Sequence, residues 1–143
     1  MAKTLAEKLL IKPGTGVFLA NAPALAPALV PPDARTVPDP ASADVLVVFA
    51  GSQAELAEFA PPAISGYREG AALWFVYPKK SSGIVTDLSR DVGWTPLENS
   101  DFLPVTLVAL DETWSALRFR RRSEIKTLTR KSEDRTSQSE GLM

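Results

Sequence analysis

The chain has 143 residues, 45% of them hydrophobic and 23% charged, with a formal net charge of −1 and neither Cys nor His. These figures fit one globular domain of ordinary size. They exclude disulfides, thiolate nucleophiles, metal sites built on Cys or His, and any catalytic device that needs an imidazole base within the chain.

The first ten residues, Met1–Leu10, mix Lys and Glu with apolar residues and lack the unbroken apolar core of a secretory signal. No apolar run approaches the ~20 residues of a membrane span. A cytoplasmic protein is expected, with no membrane partner. Thr4–Ile11 has the apolar spacing of a short amphipathic helix, stopped by Lys12-Pro13-Gly14. Gly16–Ala20 is a short apolar run bounded by turn residues and predicts a buried strand. In Asn21–Pro32, Leu25, Leu29 and Val30 suggest one or two helical turns, limited by Pro23, Pro27, Pro31 and Pro32. Ala34–Val37 predicts a minimal strand beside the first, and Pro38–Ser42 a turn.

Asp44–Ala50 is apolar at successive positions, which predicts a strand covered on both faces. Ser52, with Glu55 three residues on, predicts an N-cap for a helix over Gln53–Phe59 that ends at Pro61-Pro62. Ala71–Tyr77 is a second continuous apolar strand. Lys79–Gly83 is a polar loop, and Thr86–Leu97 predicts a helix with Leu88, Val92 and Trp94 inward. Pro104–Leu110 is a strand and Asp111–Thr113 a turn. Trp114–Arg120 alternates with period two, which predicts a half-exposed antiparallel strand. Beyond Arg121 large apolar residues are few. Residues 122–143 are therefore expected to form a disordered tail to a single domain over 1–121.

Strands alternating with helices predict an α/β fold: an open, three-layer, mostly parallel, Rossmann-like sheet. The expected order is about 2-1-3-4-5, with the last strand added antiparallel through the hairpin at Asp111–Thr113.

Four segments carry a wider likeness. They are Lys8–Gly14, the strand ending in Asn21-Ala22-Pro23, W-x-x-Y-P-K-K-S-S over Trp74–Ser82, and D-E-T-W-S-A-L-R-F-R over Asp111–Arg120. Together the chain resembles, over residues 4–121, a bacterial family of small proteins described only as a domain of unknown function. That resemblance implies a fold and carries no activity to transfer.

Ligands of open α/β sheets bind beyond the carboxyl ends of the strands. Asn21-Ala22-Pro23, Gly51-Ser52-Gln53, Lys79–Gly83 and Asp111–Thr113 should gather there. Asn21, Gly51, Ser52, Lys79, Lys80, Ser81, Ser82 and Gly83 form a candidate site for a small anionic ligand, with a protein partner on this edge as the other occupant. Two ammonium groups, two hydroxyls and a flexible glycine suit an anion, although the P-loop spacing is absent. The bland reading of the same loop is a solvated turn. A dinucleotide or S-adenosylmethionine site needs a glycine-rich turn after the first strand. Asn21–Pro27 contains no Gly, so no cofactor is predicted.

Asp111 and Glu112 with Asp87, Asp91 or Asp101 do not match a metal loop, and no metal is predicted. Trp74, Trp94 and Trp114 read as core residues, with Trp114 near Arg118 and Arg120 open to cation–π stacking.

Residues 1–117 hold 8 Lys+Arg against 13 Asp+Glu, and residues 118–143 hold 8 against 4, so a net −5 body precedes a net +4 end. Arg120, Arg121, Arg122, Lys126, Arg130 and Lys131 make that end a candidate for weak binding of nucleic acid or an acidic partner. A third expectation is a cryptic enzyme using Lys79 or Lys80 as base or electrostatic stabiliser. No catalytic residue is otherwise assigned.

Overall fold

The computed structural model describes residues 5–21, 30, 33–89 and 92–123. The helical turns expected around Leu25 and Leu29, Asp91, and the tail from residue 124 on lie outside the described residues.

The two continuous apolar runs are the central strands. β3 (Val45–Phe49) and β4 (Ala72–Pro78) are buried at every position and pair in parallel, Val45 opposite Ala72 through Phe49 opposite Val76. β1 (Gly16–Ala20) lies parallel on the far side of β3, and β2 (Arg35–Thr36) forms a two-residue edge beyond it. The remaining strands, β5 (Phe102–Ala109) and β6 (Trp114–Arg121), make an antiparallel hairpin with a register shift between Pro104 and Thr106.

The observed order is β2-β1-β3-β4-β6-β5. The Rossmann-like α/β class and the antiparallel hairpin are as expected, but the order differs at one end. The hairpin folds back so that β6 inserts between β4 and β5, leaving β5 on the edge. This explains the burial. Along β6, Ser115, Ala116, Leu117 and Phe119 are buried because the strand is internal rather than half-exposed, while β5 is largely exposed.

Each sheet face carries its own apolar layer. On one, Leu46, Val48, Leu73, Phe75, Leu117 and Phe119 pack under α2 (Gln53–Gly66) and α3 (Thr95–Asn99) through Leu56, Ala60, Ala63 and Leu97. On the other, Val45, Val47, Phe49, Trp74, Val76 and Ala116 pack under the N-terminal segment through Ala6, Leu9 and Ile11. That segment contains α1 (Leu5–Lys8), shorter than expected, and ends at Leu10 in a left-handed turn with φ 68°. Its cover is pinned by Trp74, whose buried Nε1 donates to the Leu9 carbonyl at 3.0 Å.

Two helix expectations are corrected. α2 runs through Pro61 and Pro62 to Gly66. The carbonyls four residues before these prolines belong to Ala57 and Glu58, which are exposed, so water can take the hydrogen bonds that proline cannot donate. In contrast, Thr86–Ser89 is irregular, and among the described residues of this stretch only those from Thr95 on, in Thr95–Asn99, are helical. Leu88 and Trp94 do point inward, but Val92 is exposed. Asp87 explains part of this, because its carboxylate is held at the start of α2 rather than left to start a helix of its own. Among the described residues no helix is long and apolar enough to cross a membrane.

Candidate functional site

Parallel pairing aligns the carboxyl ends of β1, β3 and β4, so Asn21, Gly51-Ser52 and Lys79 leave the sheet on one rim. The β5–β6 hairpin turns at the same rim, since Trp114 pairs with Pro78 and the Lys79 N–H donates to the Thr113 carbonyl at 2.8 Å. The four polar segments therefore share an edge, but they do not make one site.

The strand order reverses beside β1, which has β2 on one side and β3 on the other. That makes the rim between β1 and β3 the switch point at which open α/β sheets take ligands. Asn21 stands there at φ 57°, the left-handed conformation that glycine favours and that Asn tolerates best among other residues. Its Nδ2 donates to the Phe49 carbonyl at 2.9 Å and to Glu55 Oε1 at 3.0 Å. The same Glu55 oxygen accepts the Gly51 N–H at 2.7 Å. Ser52 Oγ accepts the Glu55 N–H at 3.2 Å and caps α2, while the Glu55 carboxylate reaches back to the amide one residue before that cap. One residue on, the Gln53 N–H donates to Asp87 Oδ1 at 2.7 Å, and Gln53 Nε2 donates to the Asp87 carbonyl at 2.9 Å.

The Gly51 and Gln53 amides at the switch point are thus already held by two carboxylates of the chain itself. A phosphate or carboxylate ligand would have to displace them and would meet like charge. Glu55 was legible in the sequence only as a capping partner. The S-x-x-E spacing is the signal that places its carboxylate at the switch point.

The lysine segment is arranged separately. Lys80–Ser82 forms a short 3-10 turn, in which Ser82 Oγ donates to the Lys79 carbonyl at 2.6 Å and accepts the Ile84 N–H at 3.2 Å. Gly83 closes the turn at φ 85°. Lys80 and Ser81 are exposed. Lys79 lines an open depression of about 580 Å³ on the hairpin side, with Lys8, Leu110, Asp111, Glu112 and Thr113, and neither Asn21 nor Ser52 reaches it. The eight-residue anion site expected from sequence is therefore divided into a carboxylate-held cluster and a solvated turn.

The basic run is also divided. Arg120 and Arg121 belong to β6, the Arg121 guanidinium lies over the rings of Tyr67 and Phe102 at 5.4 and 5.1 Å, and Arg122 Nε meets Asp101 Oδ1 at 3.0 Å. These three pack on the body rather than starting a free tail. Lys126, Arg130 and Lys131 lie outside the described residues. Trp74 and Trp94 are core residues as expected, and Trp114 meets Phe49 edge-on with ring centroids 5.8 Å apart.

No protein-family model and no curated protein matches the chain. Solved structures do. The M1A22 tRNA methyltransferase TrmK of B. subtilis is similar at a TM-score of 0.50 and 10% identity, over 85% of this chain and 66% of that one. A ribosomal protein L11 methylase from Lactobacillus delbrueckii subsp. bulgaricus is similar at 0.48 and 14%, over 82% and 74%. A SAM-dependent methyltransferase from Aquifex aeolicus is similar at 0.47 and 12%, over 81% and 89%.

These likenesses correct the function expected from sequence. The leading expectation was a binder of a small anionic ligand or a protein partner at this rim. The alternatives were tail-borne nucleic-acid binding and a cryptic enzyme built on Lys79 or Lys80. The three solved structures named above are methyltransferases, another similar one is described as a protein in the NADB-Rossmann superfamily from Streptococcus agalactiae, and the switch point carries a carboxylate where an anion was expected. At 10% identity the likeness to TrmK is one of fold alone, and the fold of this chain is Rossmann-like α/β.

Proposed function

We propose that this chain is a methyltransferase-like protein that takes a cationic adenosyl cosubstrate of the S-adenosylmethionine type at the rim between β1 and β3. The observation that carries the reading is the half-buried Glu55 carboxylate at the switch point, fixed by the Gly51 amide and the Asn21 side chain. An open α/β sheet of this kind suits either a dinucleotide or an adenosyl sulfonium compound, and electrostatics separates them. A dinucleotide sets its pyrophosphate on free amides at a helix N-terminus. Here the Gln53 and Glu55 amides in the first turn of α2 are engaged by Asp87 and Ser52, and Glu55 holds the Gly51 amide just before the helix. S-adenosylmethionine has no phosphate. Its ammonium and two ribose hydroxyls can donate to a carboxylate and its sulfonium is attracted to one by charge, while its own single carboxylate would have to lie away from Glu55.

The turn after β1 also supports the reading. Such a turn calls for a residue at positive φ to let the chain leave the strand sharply, and glycine is the usual solution. Asn21 adopts that conformation without being glycine. Glu55 and Asn21 would hold the polar groups of the cosubstrate. When bound, the cosubstrate supplies an electrophilic methyl group. No residue is assigned to the transfer itself.

Titration calorimetry of the full chain tests this with S-adenosylmethionine, S-adenosylhomocysteine and NAD⁺. The adenosyl compounds should bind and NAD⁺ should not. Glu55→Gln keeps an oxygen to accept the Gly51 and Asn21 donors but removes the charge. It should weaken S-adenosylmethionine about tenfold, which corresponds to about 1.4 kcal/mol, with the fold intact. Absence of adenosyl binding at millimolar concentration, or binding of NAD⁺ instead, would refute the reading.

A further inference from the structure

The two edges of the sheet are built differently. β2 is two residues long, exposed, and contains Arg35, features that discourage further strand pairing. β5 is eight residues long, and its sequence FLPVTLVA has no charged residue. Five of its eight positions are exposed, and Val105 and Leu107 stand 40% and 45% exposed. A long uncharged edge of this composition is a template for pairing with another strand. Pro104 and the register shift interrupt it near the start, and Lys8 Nζ caps the Ala109 carbonyl at 3.0 Å at the end. Among the described residues no strand pairs with the outer side of the stretch between them, Val105–Val108.

We infer that β5 pairs with β5 of a second copy of this chain, about a two-fold axis near Thr106. Three features select a second copy over an unlike partner. A two-fold axis normal to the sheet reverses strand direction. The second copy therefore continues the antiparallel alternation already set by β4, β6 and β5. A strand facing itself must put no charge opposite its own image, and β5 meets that condition at every position. The flanking charges are also compatible. In this register the exposed Asp101 stands opposite Asp111 of the other copy, beside its Glu112, and Arg122 and Lys8 supply the opposite charge there, so that both signs are present on each side. Val105 and Leu107 then leave water at the contact. This inference is independent of the cosubstrate reading, because β5 lies at the sheet edge, with β4 and β6 between it and the switch point beside β3.

Sedimentation of the full chain tests it. Wild type should sediment as a dimer of the 15.4 kDa chain. Thr106 is exposed and sits at the axis, opposite Arg118 of its own copy, so a charge there is doubled across the interface; Glu gains Arg118 as an opposite-charge neighbour, and because Lys meets a like charge there its unfolding midpoint is measured alongside. Thr106→Glu and Thr106→Lys should each raise the dimer dissociation constant at least tenfold, with unchanged circular dichroism. An equimolar mixture of the two should restore a heterodimer. A monomeric wild type, a Thr106→Glu variant that still dimerises with wild-type affinity, or a mixture that stays monomeric would overturn the proposal. Slowed amide exchange over 105–108 that grows with protein concentration would support it in a wild type that needs no substitution.

Discussion

One oxygen, Oε1 of Glu55, ties the ends of β1 and β3 to the start of α2 through Asn21 and Gly51. Its neighbour Asn21 bears two demands at once, a left-handed backbone and a pair of donated hydrogen bonds. The demands are separable by substitution. Asn21→Gly loses the hydrogen bonds but fits the backbone, whereas Asn21→Ala loses both. Urea unfolding should find the alanine variant less stable than the glycine variant by about 1–2 kcal/mol, the cost of a left-handed L-residue. Equal stability would mean that the turn relaxes. The sequence pattern made the Ser52 cap legible, because S-x-x-E before an apolar run has a fixed local geometry. It did not reveal Asn21's conformation, since Asn is compatible with ordinary turns as well. Nor did it show that Lys79 lines the depression on the hairpin side, which follows from strand pairing far away in sequence.

The elements that misled a local reading were those decided by tertiary context. Prolines end most helices, yet α2 passes Pro61 and Pro62 because its solvent side carries the unpaired carbonyls while Leu56, Ala60 and Ala63 hold the other side to the sheet. If so, the prolines are tolerated rather than required. Pro61→Ala with Pro62→Ala should raise unfolding free energy by on the order of 1–3 kcal/mol, since each helix-interior proline is about 3 kcal/mol worse than alanine before the unfolded-state entropy offsets part of it. A loss of stability would show that the prolines set the packing of the second half of the helix. Period-two alternation in Trp114–Arg120 identified a strand correctly but read its exposure wrongly. The small and apolar residues on both of its faces, Ser115, Ala116 and Leu117, fit an inner strand, and alternation alone does not reveal which strand of a hairpin is inside.

For the molecule as a whole, the fold class was legible because β3 and β4 are apolar at every position, and such runs need cover on two faces. The order of the last strands was not, because a hairpin joins a sheet equally well by either arm. The two apolar layers share β4, with Trp74 on one side and Phe75 on the other, both fully buried. Trp74→Ala and Phe75→Ala should therefore each cost about 3–5 kcal/mol. In wild type, tryptophan fluorescence and far-ultraviolet circular dichroism should report one coincident transition. Separated transitions would mean that the N-terminal cover and the helical layer unfold independently.

The insertion of β6 has a consequence for synthesis. β4 is complete at Pro78, but its neighbour β6 ends only at Arg121, 43 residues later. At about 5–20 residues per second that is a wait of roughly 2–9 s on the ribosome. Throughout it, one flank of a strand that is buried at every position in the folded chain has no native neighbour. β5 emerges first and can offer itself in β6's place. A nascent chain stalled before Trp114 should therefore recruit holdase chaperones, and one stalled after Arg121 has left the exit tunnel should release them.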